Sequence, residues 1–223
     1  MCTGRVDPSF IFRALKGGAD GVIIGGCWPG ECHYVTEGNY DALANVLLCR
    51  KLFEKIGVAP ERLRLEWIAT SEGARFAAVM TDFYRRIKAL GPLGRTEGLD
   101  GEVLKDRIEA VQRLVPYLKL VEREKLRPPV RSEQGYKDYY EQGDGDRLFD
   151  ALVTEKLVLA QILLFLGRGP LSPAELAGRT GLSSSALARH LERAAMEGLV
   201  TYDPDRGKYV PASAWTAGAP GGS

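Results

Sequence analysis

Long apolar runs are what this sequence most lacks. No stretch reaches the roughly 18–20 residues a membrane-spanning helix needs. The longest, LVLAQILLFLG, is interrupted by Gln161 and ends in glycine. A basic segment leading into an apolar one is missing from the start, so the sequence reads as cytoplasmic. Charge of one sign is scarce as well. The net charge is +1 over 223 residues, which offers no field to gather nucleic acid or an acidic membrane. There is no Walker motif and no complete Gly-x-Gly-x-x-Gly, so no nucleotide or flavin site is expected in this chain. Cysteine is sparse, with four residues in all, yet three of them are Cys2, Cys27 and Cys32. In a cytoplasmic chain, clustered thiols favour metal or redox chemistry over structural disulfides.

What is present alternates between strand and helix. Asp7 and Pro8 suit the N-cap and first position of a helix over SFIFRALK, which Gly17-Gly18 ends. DGVIIGG then reads as a strand buried on both faces. Leu43, Val46, Leu47, Leu52, Phe53 and Ile56 recur at helical spacing, and Gly57 closes that helix. RLRLEWIA is a second strand, and Ser71 is placed to cap the helix that follows it. This order predicts a parallel sheet of α/β type. Two strands make a poor sheet, however, and the loop carrying Cys2 should itself leave the end of a strand. Residues 1–95 therefore read as a partial Rossmann- or flavodoxin-like domain lacking its first strand or strands.

Residues 96–145 differ in character. A charged amphipathic helix, kinked near Pro116, runs to Pro128-Pro129, and an aromatic-rich polar connector follows; together they read as a helical linker that packs. Residues 146–212 read as a winged-helix-like domain. A strongly apolar helix comes first, then a short helix capped by Ser172-Pro173. A third helix is capped by Ser183 or Ser184, and a hairpin turns at DPDRG. The tail, 213–223, is expected to be disordered.

The stretch VIIGGCWPGECHY carries the chemistry. Pro29-Gly30 forces a tight turn, so Cys27 and Cys32 can converge on one centre. Their loop leaves the carboxyl end of a parallel strand, where open α/β sheets place their sites. Cys2 should lie at the neighbouring strand position, just before a helix N-terminus whose dipole favours thiolate. An iron–sulfur cluster suits such thiols. Ordinary buried thiols, a zinc site that recruits His33 and a Cys27–Cys32 disulfide are the open alternatives. Cys49, in NVLLCRKLF, reads as a core thiol in mid-helix.

The long segment CTGRVDPSFIFRALKGGADGVIIGGCWPGECHY, with GNY, APERLRLEWIATSEGARFAAVMTDF and LGPLG, resembles the delta subunit of methyl-viologen-reducing hydrogenase, over residues 1 to about 95. The resemblance implies a 2Fe–2S cluster. Cys2 matches the family's Cys-Ser/Thr-Gly-Arg motif, and Cys27 and Cys32 match its Gly-Cys-x4-Cys-His-Tyr pair. It further implies an electron relay, from a hydrogenase or formate dehydrogenase to the flavin subunit of a heterodisulfide-reductase-type complex, the site of electron bifurcation. The family's domain starts further upstream, with a strand and a Cys-Cys-x-x-Cys-type motif. A fourth cluster ligand is therefore expected from outside this chain, through a split gene or an upstream selenocysteine codon read as a stop.

Other residues have a bland and a sharp reading. His33 can tune a cluster or simply pack on Tyr34. Arg5 can favour thiolate at Cys2 or dock a partner. Gly25 and Gly26 let backbone approach a cluster or merely end a strand. Glu66, Ser71 and Glu72 have no evident chemistry beyond capping. In the winged helix, Arg189, His190 and Arg193 are offset by Glu192 and Glu197, and Arg206 and Lys208 by Asp203 and Asp205. That balance suits protein docking better than DNA. The competing reading is an iron–sulfur redox-sensing transcriptional regulator that uses the winged helix.

Overall fold

A computed structural model describes residues 2–212; the tail expected to be disordered lies outside the described residues. The chain forms two compact units, Met1–Ala151 and Leu152–Ser223.

The first unit opens with a 3-10 turn, Thr3–Arg5, and helix α1, Pro8–Lys16. Asp7 caps α1 by accepting the Ser9 N–H at 2.9 Å. Strand β1, Val22–Gly26, leads through the cysteine loop into helix α2, Gly38–Ile56, which ends on Gly57 in the left-handed conformation (φ 79°). Strand β2, Leu63–Trp67, pairs in parallel with β1, Val22 opposite Leu63 and Gly26 opposite Trp67. Helix α3, Gly73–Leu90, follows.

The core lies on one side of this sheet. Phe12 of α1 meets Phe53 of α2 edge-on, with centroids 5.4 Å apart. Helix α4, Gly101–Lys125, passes through Pro116 and lays Leu104, Ile108, Val111 and Leu118 into the same core. The other side is thinly covered, because α3 buries only Val79 and Phe83 while Phe76, Met80 and Tyr84 are exposed. Strand β1 is accordingly not buried on both faces: Ile24 and Gly26 are buried, Ile23 is partly buried and Gly25 is exposed. An apolar sequence cannot report how much covering a neighbouring helix supplies.

The polar connector is itself helical. Residues 133–141 form helix α5, Glu133–Glu141, capped by Ser132, and helix α6, Asp144–Phe149, follows. Tyr136 and Tyr140 are buried, and the Tyr140 hydroxyl donates to the Leu126 carbonyl. Residues 96–145 thus fold with the first unit. A buried ion pair closes the far end of the sheet. Arg62, fully buried, donates to Glu97 at 2.5 Å and to the carbonyls of Asp20 and Gly91 at 2.9 Å. Burial alone would raise the Glu97 carboxyl. The hydrogen bonds and charge of Arg62, with the Ala59 N–H, instead hold it below its ordinary value.

After a π-helical turn at Asp150–Thr154, the second unit comprises helix α7, Glu155–Leu166, helix α8, Pro173–Thr180, helix α9, Ser184–Met196, and an antiparallel hairpin of β3, Val200–Asp203, and β4, Lys208–Pro211. Ser172 and Glu175 form a reciprocal capping box on α8, and Ser183 caps α9. Ile162, Phe165, Leu166, Leu176, Leu187, Leu191 and Val200 form one core. Leu171 bridges to Tyr209 through two backbone hydrogen bonds, at 3.2 and 2.8 Å, and so ties the wing to the helices. Three helices and a hairpin make the winged-helix arrangement. No helix among the described residues is long and apolar enough to cross a membrane.

Candidate metal centre

The site is assembled at the carboxyl end of β1. The Gly26 carbonyl accepts from Ile68 N–H at 2.8 Å, on the β2 side. Carbonyls alternate along a strand, so the Gly25 carbonyl points to the opposite edge. There the Thr3 hydroxyl takes it, at 2.8 Å. This single bond sets Cys2 beside the strand that delivers Cys27.

Two glycines then bring the thiols together. A Cβ on Gly4 would stand 2.4 Å from the Gly38 carbonyl oxygen, so the Cys2 segment and the first turn of α2 touch backbone to backbone. A Cβ on Gly38 would stand 2.4 Å from Cys32 Sγ and 3.1 Å from Cys2 Sγ. Both sulfurs therefore rest against the N-terminus of α2, where the helix dipole favours negative charge. The sequence pointed instead to the helix after Cys2.

Cys2 Sγ and Cys32 Sγ are 3.9 Å apart. That is far beyond a disulfide bond, and all four cysteines are unbridged. Metal–sulfur bonds of about 2.3 Å at a tetrahedral centre set two sulfurs about 3.8 Å apart. The pair therefore fits two positions of one tetrahedral metal. Burial raises the Cys2 thiol. A hydrogen bond from the Gly4 backbone opposes this, while Cys32 and the Cys27 charge push the same way as burial.

Cys32 is buried and Cys27 exposed. The tight turn is present: Glu31 N–H donates to the Trp28 carbonyl at 3.0 Å, with Gly30 at φ 91°. Cys2 and Cys32 form a close thiol pair, and Cys27 is exposed, its carbonyl held by the Asn39 side-chain amide. Among the described residues, no group of three or more His, Cys, Asp or Glu side chains is placed to hold a metal ion, so the site as it stands offers a thiol pair, Cys2 with Cys32, and not a complete ligand set. Cys49 lies fully buried in α2, its thiol pushed well up by burial and by Asp7, which is the setting of a core thiol rather than a ligand. His33 is exposed and packs edge-on against Tyr34 at 5.2 Å. Arg5 is exposed in the wall of a hollow that also contains Cys2, Tyr34 and Glu37. Gly26 is needed for packing, since a Cβ there would meet the Trp67 ring at 2.8 Å, whereas Gly25 faces open space.

Ser71 does not cap α3. Glu72 takes the N-cap position and turns its carboxylate away from the helix, onto the Ala69 N–H and the Trp28 indole N–H, both at 2.7 Å. These two bonds, the Ala69 one first, hold the Glu72 carboxyl below its ordinary value. Sequence reasoning assigned Glu72 no such role. The only available signal was its place in WIATSEG, the segment following a strand next to the cysteine loop.

In the second unit, three basic residues of the third helix and the wing are internally paired. Arg193 bridges Glu155 and Glu197, Arg206 bridges Asp203 at 3.6 Å, and Lys208 bridges Glu175 at 3.5 Å.

The fold and site thus define a two-part protein, a parallel α/β unit with thiols at its strand ends and a winged-helix unit. The model of the family described as "Methyl-viologen-reducing hydrogenase, delta subunit" matches residues 1–91, and that of the MarR family matches residues 160–208. An F420-non-reducing hydrogenase iron–sulfur subunit of Archaeoglobus profundus is 58% identical over 91 residues, covering 41% of this chain and 66% of that protein. An F420-non-reducing hydrogenase iron–sulfur subunit of Methanopyrus kandleri is 38% identical over 92 residues, 41% of this chain and 69% of the relative. A component of the ferredoxin:CoB-CoM heterodisulfide reductase of Methanosarcina mazei is 44% identical over 94 residues, 42% of this chain but 12% of that protein. The chain belongs to the methyl-viologen-reducing hydrogenase delta-subunit family. It spans 66% of the A. profundus protein and a small part of the M. mazei reductase component.

Proposed function

We propose that this chain is a non-catalytic iron–sulfur electron-transfer subunit, which relays electrons between a hydrogenase or formate dehydrogenase and the flavin subunit of a heterodisulfide-reductase-type complex. The observation that carries the reading is the 3.9 Å approach of Cys2 and Cys32 beside the loop bearing Cys27. The relatives support it, being named as hydrogenase iron–sulfur subunits and as a heterodisulfide reductase component. When bound, an iron–sulfur cluster takes up and returns electrons singly. The residues supply its setting. Cys2 and Cys32 would hold the cluster from beside the N-terminus of α2, where Gly38 leaves room for both sulfurs, and Cys27 would bind from the exposed loop. Cys49 is the wrong fourth ligand, so a 2Fe–2S cluster takes its fourth from a thiolate or selenolate outside these residues. The α/β unit is read as a Rossmann- or flavodoxin-like domain, working in the cytoplasm.

The winged helix is read as a protein-docking module. A second reading, a redox-sensing DNA-binding regulator, rests on the MarR match over residues 160–208. The internal pairing of Arg193, Arg206 and Lys208 weighs against it, because paired cations release few counterions from DNA.

The test is anaerobic purification of the tagged full chain from cells that also express the hydrogenase and reductase proteins. Co-purification of the flavin subunit, with reduction of the chain's cluster by the hydrogenase and H2, is the expected result. A chain that purifies alone, binds no iron and binds duplex DNA selectively at physiological salt would refute the relay reading.

A further inference from the structure

We propose that Trp28, Glu72 and Arg75 form a latch that holds the Cys27–Cys32 loop in its metal-binding position. The proposal rests on the reading of Cys2, Cys27 and Cys32 as ligands. Trp28 follows Cys27 directly, so whatever fixes the indole fixes that cysteine's backbone. The indole N–H donates to Glu72 Oε2 at 2.7 Å, and the same oxygen accepts the Ala69 N–H at 2.7 Å. One carboxylate oxygen thereby joins the loop after β1 to the loop after β2. The face of the same indole is covered by the Arg75 guanidinium, 4.9 Å from the ring centre. Arg75 is anchored in turn on the end of β2, through the Trp67 carbonyl at 3.1 Å and Glu66 at 3.2 Å. The ring is thus gripped on its edge by an acceptor and on its face by a cation, both set by one strand end.

Cys27 itself is exposed, and apart from the latch the loop is steadied by the Glu31–Trp28 turn and by Asn39 on the Cys27 carbonyl. A ligand on so exposed a loop gains affinity when its position is set before the metal arrives, because the ordering cost is already met. Trp28, Glu72 and Arg75 touch no reacting atom; they are positioning residues. Glu66 and Glu72, which looked like no more than helix-capping residues in the sequence, acquire a common purpose as the two ends of this grip.

The test uses the full chain and Co2+ as probe, titrated anaerobically and read by thiolate-to-cobalt charge-transfer absorbance. Amide hydrogen exchange over residues 27–34 is measured in parallel on the metal-free chain. The variants are Trp28→Phe, Glu72→Ala, Glu72→Gln, the Trp28→Phe/Glu72→Ala pair, and Cys27→Ser as the ligand control. Trp28→Phe and Glu72→Ala should each weaken Co2+ binding about tenfold and speed loop exchange by a similar factor, the loss expected of one charge-assisted hydrogen bond. Glu72→Gln keeps an acceptor oxygen and should stay within about threefold of the native protein on both readouts. The double variant should be no worse than Glu72→Ala alone, since the Trp28–Glu72 contact is already broken there. Unchanged loop exchange in Glu72→Ala, equal damage from Glu72→Gln, or multiplying effects in the double variant would overturn the latch. Unchanged Co2+ affinity in Cys27→Ser would instead overturn the ligand reading, with loop exchange still judging the latch by itself.

Discussion

Replacing Gly38 with alanine should separate the site from the fold. The added methyl would stand 2.4 Å from Cys32 Sγ and 3.1 Å from Cys2 Sγ. Non-bonded heavy atoms rest about 3.5–4.0 Å apart, so Cys32 Sγ must retreat by about 1 Å or turn to another rotamer. Metal ligands tolerate displacements of roughly 0.2 Å. One thiol of the close pair is therefore lost as a ligand. Altering outer contacts of a metal site already lowers affinity about 10–100-fold, and losing a ligand should reach at least that range. The backbone has no objection to the change. Gly38 opens α2 and is not among the glycines with positive φ. Alanine there favours the helix by up to about 1 kcal/mol. Thermal unfolding of the metal-free chain should move little or upward, while Co2+ binding followed by charge-transfer absorbance falls. A Gly38→Ala chain that binds Co2+ as the native protein does would refute the placement of the two sulfurs against α2. A chain that loses its fold would refute the claim that this glycine serves the site.

Removing Arg62 should be costly. It leaves Glu97 unpaired where its side chain keeps only 8% of its exposure, and it strips donors from the Asp20 and Gly91 carbonyls. Breaking such a pair from one side costs about 3 kcal/mol, so Arg62→Met should lower the urea midpoint markedly; an unchanged midpoint would contradict the buried-pair account. The latch should also respond to acid. The Glu72 carboxyl lies below its ordinary 4.5, so the folded form binds a proton less readily than the unfolded one. Its stabilising effect is present above that value and fades as pH falls through the lower folded value. The Trp28 indole N–H resonance should titrate with a midpoint below the ordinary carboxylate value; a midpoint above it would reverse the assigned sign.

What could be read from sequence was local. Asp7, Ser172 and Ser183 are caps because a side-chain oxygen and a backbone N–H two or three residues later decide the matter. Gly57 ends α2 for an equally local reason. Helix α5 is weakly marked in the sequence, because Gly135 weakens its helical signal and its burial depends on contacts with distant residues, such as Tyr136 with Tyr40. The turn that lets Cys27 and Cys32 converge is local, and Pro29-Gly30 marks it. The approach of Cys2 to Cys32 is created by the contact of Gly4 with Gly38, which no spacing reveals. The covering of β1 by α3 is likewise a tertiary quantity, which an apolar strand sequence does not report.

The central claim is that Cys2, Cys27 and Cys32 hold an iron–sulfur cluster and Cys49 does not. The most direct measurement is anaerobic reconstitution of the full chain with iron and sulfide, with a small thiol supplied for the fourth position, read by visible absorption and by electron paramagnetic resonance after reduction. The native protein and Cys49→Ser should show the same 2Fe–2S spectrum. Cys2→Ser, Cys27→Ser and Cys32→Ser should each lose it while keeping native circular dichroism. A full cluster signal in any of those three, or its loss in a folded Cys49→Ser chain, would contradict the account.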